Sequence, residues 1–152
     1  MPSRAVGLRC PVASARAGDS SATALLQGDW VVGVLVDACG WAALMDAKLN
    51  LDDAMNRVVG QAELMVLECV HRELELLSQQ RKGLLLGLLE SRSEKISDLD
   101  GMVHPDEMLV TLSDLRGWPV LTVDRGLKER LISSGGSYIE VTSSRFLRLV
   151  EV

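Results

Sequence analysis

The chain predicts an α/β fold, a three-layer α/β/α sandwich around a central, mainly parallel sheet of about five strands. Three observations carry this. Short aliphatic and β-branched runs recur, each followed by a stretch whose apolar residues return at helical spacing. The first run, "WVVGVLV" (30–36), is apolar on both faces, as in a strand covered by helices on both sides. Gly60, Pro105 and Gly117 stand where helices must stop or start. Strands joined through helices pair in parallel, and the right-handed crossover places helices on both faces.

The elements follow in order. Residues 1–29 are rich in Ala, Ser, Gly and Arg, are poor in acids and lack the apolar centre of a secretory signal. We expect a disordered leader there, although a transit peptide has a similar composition, and a single domain over residues 30–152. After the first strand, "AALMDAKLNLDDAMNRVVG" (42–60) shows helical spacing in Leu51, Ala54, Met55, Val58 and Val59, with Gly60 as the stop. "ELMVLE" (63–68) is a second strand, and "VHRELELLSQQ" (70–80) a helix with Val70, Leu74 and Leu77 on one face. "RKGLLLGLLESR" (81–92) reads as a further helix despite Gly83 and Gly87, and "KISDL" (95–99) as a third strand. "HPDEMLVTLSDLRG" (104–117) is a helix with Pro105 in its first turn, where a missing N–H costs nothing. "WPVLTV" (118–123) is the fourth strand, "RGLKERLISSG" (125–135) a helix and "SYIEV" (137–141) the fifth strand, with "FLRLV" (146–150) a candidate sixth.

A chain of 152 residues, 47% hydrophobic and 24% charged, is one ordinary globular domain. No apolar run approaches the ~18 residues of a spanning helix, so no membrane association is expected. The three cysteines, Cys10, Cys39 and Cys69, form no C-x-x-C pair and are odd in number, which argues for a reducing, cytoplasmic setting and against a disulfide framework or structural zinc. Cys39 and Cys69 are expected to be small buried hydrophobes. A net charge of −5 and 3% aromatics argue against a nucleic-acid coat protein and against a base-stacking platform. An acidic chain can still act on a polyanion when its carboxylates gather around divalent cations.

The placement of the acids is therefore the informative feature. Asp37 and Asp124 are each the first charge after an apolar run, at the carboxyl ends of strands one and four. In a parallel sheet those ends form the ligand-binding rim. Asp37 could instead cap the helix that follows. Asp106, in the first turn after Pro105, and Glu73, one turn into its helix, would lie near the same rim. Taken alone, Asp106 reads equally as a helix-dipole carboxylate and Glu73 as a solvated face. Glu68, Glu75, Glu107, Asp52 and Asp53 read as solvated, and the single His71 and His104 as surface residues. Four carboxylates on one rim would repel one another and raise some pKa values. Mg²⁺ relieves that cost, and two such ions ~4 Å apart stabilise both oxygens of a phosphodiester displacement. Arg125 and Lys128 could meet phosphates, with a solvated helix the slightly favoured reading.

The segments "VLVDACGWAALMDA", "LMVLECVHRELELL", "HPDEMLVTLSDLRGWPVLTVDRGLKERL" and "SYIEV" together resemble a PIN domain, from about residue 31 to the C-terminus. The resemblance implies an RNA endonuclease with Mg²⁺ or Mn²⁺ held by Asp37, Glu73 of "VHREL", Asp106 (with Glu107 beside it) and Asp124 of "LTVDRGL". The helix pair expected after strand one looks most like the ribosome-biogenesis branch. That branch, rather than the toxin branch, implies RNA and a ribosome precursor as partners; a toxin role would instead imply an antitoxin-like protein, and a homodimer is allowed. The family usually carries Thr or Ser, then Asn or Ser, after the first acid, where this chain has Ala38 and Cys39. It often has Asn before the last acid and Asp two beyond, where this chain has Val123 and Gly126. Thinner support of this kind costs ~10–100-fold in metal affinity or rate. It leaves a non-catalytic RNA-binding scaffold as the alternative. A haloacid-type hydrolase would want a second Asp where Cys39 stands.

Overall fold

The structure, a computed structural model, describes residues 31–151. The expected leader and Cys10 lie outside the described residues. The alternating sequence pattern becomes β1 (Val31–Val36), α1 (Ala38–Asp46), α2 (Leu51–Val58), β2 (Gln61–Leu67), α3 (Glu68–Ser78), α4 (Leu86–Arg92) and β3 (Ser93–Ile96). It continues through α5 (Pro105–Arg116), β4 (Val120–Leu121), α6 (Arg125–Ser133), β5 (Ser137–Val141) and β6 (Leu147–Glu151). One sheet holds six strands in the order β3-β2-β1-β4-β5-β6. All neighbours are parallel except β5 and β6, so "FLRLV" does form a strand, and an antiparallel one.

The strand order creates the site. From β1 the chain steps outward through β2 to β3, returns through α5 to the other side of β1 at β4, and steps outward again to β5. The direction reverses between β1 and β4, where Val36 pairs with Leu121. Helices leave in opposite directions from such a switch point and open a crevice at the carboxyl ends of the strands. Among the described residues no helix is long and apolar enough to cross a membrane.

The centre of the sheet is fully dry. Val34, Leu35 and Val36 of β1 and Val120 and Leu121 of β4 are all 0% exposed, as continuous β-branched and aliphatic runs demand. Trp41 of α1 is also fully buried, and its Nε1–H donates to the carbonyl of Leu84 at 2.7 Å. A buried indole nitrogen requires such a partner. Gly40 allows α1 to lie directly on β4: a Cβ there would come within 2.2 Å of the Leu121 carbonyl oxygen.

Several boundaries depart from the sequence pattern, each for a local reason. Residues 81–85 are not helical. Gly83 (φ 89) and Leu85 (φ 50) both take the left-handed conformation, so α4 starts only at Leu86. The apolar run "GLLLGLL" hid this because it has no distinct helical face. The stretch 42–60 is two helices, since Lys48 (φ 57) breaks the first and Asn50 caps the second by accepting from the Asp53 N–H at 2.9 Å. β3 begins at Ser93 and ends at Ile96, before Asp98, whose Oδ1 accepts from the Cys69 N–H at 2.9 Å at the start of α3. β4 is shorter than "WPVLTV", yet the ladder runs on: Asp37 N–H donates to Leu121 and Thr122 N–H to Ile139, both at 3.0 Å.

Candidate functional site

Asp37 leaves the end of β1 in the N-cap position of α1 but makes no side-chain cap bond. It is only 7% exposed. Its Oδ2 accepts instead from the Thr122 hydroxyl at 2.9 Å and the Cys39 thiol at 3.0 Å. The Asp37 side chain therefore does not cap α1. With both donors on Oδ2, Oδ1 takes no hydrogen bond among the described residues. Thr122, fully buried, also accepts from the Asp124 N–H at 3.1 Å. One hydroxyl thus ties the end of β1 to the start of α6.

Asp124 is the N-cap of α6, and its Oδ1 accepts from the Gly126 N–H at 3.2 Å. Asp106 sits in the first turn of α5 behind Pro105, and Glu73 lies in the second turn of α3. The structure brings all four expected acids to one cleft of about 690 Å³, together with Cys39, His104, Glu107 and Arg130. The volume falls within the usual range of ligand pockets.

Electrostatics confirm the crowding. The Glu73 carboxyl is pushed up from its ordinary range by desolvation first, then by the charges of Asp37 and Asp106. The Asp106 carboxyl is pushed up by desolvation and by the charges of Asp37 and Asp124, against a smaller opposing pull from Arg130 and His104. Like charges that raise each other's pKa mark a place short of positive charge.

Other expectations change. His71 is not a surface residue: it is 7% exposed, with Nε2 2.9 Å from Glu90 and Nδ1 3.6 Å from Glu75, and it clips α3 to α4. Those three side chains are also close enough together to hold a metal ion. Cys39 and Cys69 are half-buried and make polar contacts, so neither is a simple core filler. Burial and Asp37 push the Cys39 thiol up to about 11, which keeps it a hydrogen-bond donor at neutral pH. Lys128 pairs with Glu140 and Arg125 with Glu129, so neither faces the cleft as a free cation. Arg130 does line the cleft, and the sequence reading missed it, as it missed Thr122.

No family model matches the chain, and no curated protein matches it. Solved structures do match. One is the structure of the PIN domain endonuclease Utp24, at 19% identity and a TM-score of 0.66, covering 79% of this chain and 92% of that chain. The fold is that of a PIN domain. Within this PIN fold the departures at Cys39 and Gly126 look different from their letters, while nothing among the described residues compensates for Ala38 or Val123. The Cys39 thiol and Thr122 both donate to Asp37, and the Gly126 backbone donates to Asp124.

Proposed function

We propose that the chain is a Mg²⁺- or Mn²⁺-dependent RNA endonuclease. The observation that carries this is the convergence of Asp37, Glu73, Asp106 and Asp124, from four separate elements, on the switch-point cleft of a PIN fold. The helix pair α1–α2 after β1 favours a substrate among ribosomal RNA precursors. The residues fit a divalent cation. The donors are all carboxylate oxygens, as Mg²⁺ and Mn²⁺ prefer, and the raised pKa values of Glu73 and Asp106 show negative charge that a cation would relieve.

Asp37, Asp106 and Asp124 would hold the metal, Asp37 through the Oδ1 that Thr122 and Cys39 leave free. A divalent ion there supplies charge neutralisation and polarises the phosphoryl oxygen. Glu73 would hold the same ion or orient the attacking water. Its carboxyl binds a proton more tightly than usual, which suits it to receive the water's proton.

A second reading, an RNA-binding scaffold that does not cut, is favoured by Asp124, one of whose oxygens is already used to cap α6. Cleavage of a mixed RNA pool in Mn²⁺ separates the two, with Asp37→Asn and Asp124→Asn beside the wild type. The endonuclease reading expects each variant to lose activity by ~100-fold or more, above the loss typical of mere ligand-supporting residues. Equal activity in all three proteins would remove the four-acid site. RNA bound but never cut by any of them would establish the scaffold.

A further inference from the structure

We infer that Arg130 is the residue that grips a substrate phosphate in the cleft lined by the four acids. This rests on the RNA-directed reading above and names the group that would recognise the polyanion. The cations of the domain differ in how they are engaged. Lys128 is held by Glu140 and lies over the Tyr138 ring at 5.4 Å. Arg125 pairs with Glu129, Arg72 with Asp98, and Arg116 stacks on Trp118 at 5.3 Å. Arg130 lines the cleft, and among the described residues its guanidinium has no ion pair, side-chain hydrogen bond or ring contact.

Four carboxylates and a guanidinium with no ion pair among the described residues line the same cleft. A phosphodiester can use both: carboxylates take the anion only through a cation, while a guanidinium takes it directly, often through two parallel hydrogen bonds. Arg130 sits on α6, the helix that begins at Asp124, so the arginine and the last acid move as one body. An arginine whose only task was to offset Asp106 would behave differently, since removing it would change metal affinity and leave RNA contacts alone.

The test compares wild type, Arg130→Gln, Arg130→Lys and Arg125→Gln. Binding of a labelled single-stranded RNA is followed by fluorescence anisotropy over a salt series, with Ca²⁺ present, and Mn²⁺ binding by calorimetry. Arg130→Gln is expected to weaken RNA binding about tenfold, as for loss of one charge-assisted contact. It should also flatten the slope of log K against log salt by about 0.7, the value for one phosphate contact on a single strand. Arg130→Lys should restore the slope but not the full affinity, Arg125→Gln should match wild type, and Mn²⁺ affinity should rise only slightly in Arg130→Gln. An unchanged salt slope in Arg130→Gln overturns the assignment, as does a larger RNA defect in Arg125→Gln or a tighter Mn²⁺ site with RNA binding intact. If wild type binds and cuts RNA while Arg130→Gln behaves identically, this inference alone falls. A wild type that binds no RNA overturns both readings.

Discussion

At the scale of the residue, Asp37 depends on partners far away in the chain. Thr122 is a buried hydroxyl with a donor bond to Asp37 and an acceptor bond from the Asp124 N–H. Thr122→Val removes both and leaves a part-buried backbone donor unmet, so we predict a loss of ~1–3 kcal/mol in urea unfolding. Mn²⁺ affinity, read by calorimetry, should fall ~10–100-fold. Thr122→Ser should keep most of each. For Cys39, the shape and the donor both count: Cys39→Ser should retain Mn²⁺ binding, and Cys39→Ala should weaken it through loss of the bond to Asp37. An alanine as good as serine would show that the thiol has no positioning role. The acids were legible in the sequence because each of the two strand-end aspartates is the first charge after an apolar run. Thr122 was not, because its contact with Asp37 crosses 85 positions and leaves no local pattern.

At the scale of the element, the placement of α1 sets the geometry of the first acid. Gly40 lies on that helix three residues after Asp37, and its missing Cβ is what lets the helix touch the Leu121 carbonyl. The blocking atom is backbone and cannot rotate away. Gly40→Ala should therefore cost about 1–3 kcal/mol by overpacking, measured as a fall in urea midpoint. It should also weaken Mn²⁺ binding, since Asp37 and Cys39 shift with the helix. A stability loss with unaltered metal binding would mean that α1 moves without carrying the site. The alternation of strand and helix was readable because it follows period and burial. The ends of α4 and β3 were not, because a left-handed Leu85 and an Asp98 that serves α3 are tertiary choices. Asp98 also bonds Arg72, the residue before Glu73, so the edge of the sheet steadies the helix that carries the second acid.

At the scale of the whole molecule, acids pull stability in opposite directions with pH. Burial alone would raise Glu140, but the bonds from Lys128 and Arg148 outweigh it and hold its carboxyl below the ordinary range. The same is true of Asp98, where desolvation is outweighed by the bonds from the Cys69 backbone and thiol and from Arg72. Depressed carboxyls contribute stability above their unfolded pKa, roughly pH 4, and that contribution is lost as pH falls through the folded value. Glu73 and Asp106 are raised, so they cost nothing below roughly pH 4 and destabilise the metal-free fold as pH rises through their folded values. Mn²⁺ should thus raise the melting temperature strongly at pH 7 and weakly at pH 4, and Asp37→Asn should blunt the effect. Thermal melts across that range check it, and a shift independent of pH would contradict a carboxylate site.

The order β3-β2-β1-β4-β5-β6 has one more consequence. The two strands that flank the cleft, β1 and β4, are neighbours in the sheet but are separated by most of the domain's length along the chain. Pairing them is a long-range event, the slow kind in folding. During synthesis or after a cut, a chain that has not yet closed β4 onto β1 carries every acid up to Asp106 yet has no cleft in which to use them. The cleft comes into being only when β4 has paired with β1, so the four acids meet only in a chain that has folded through β4.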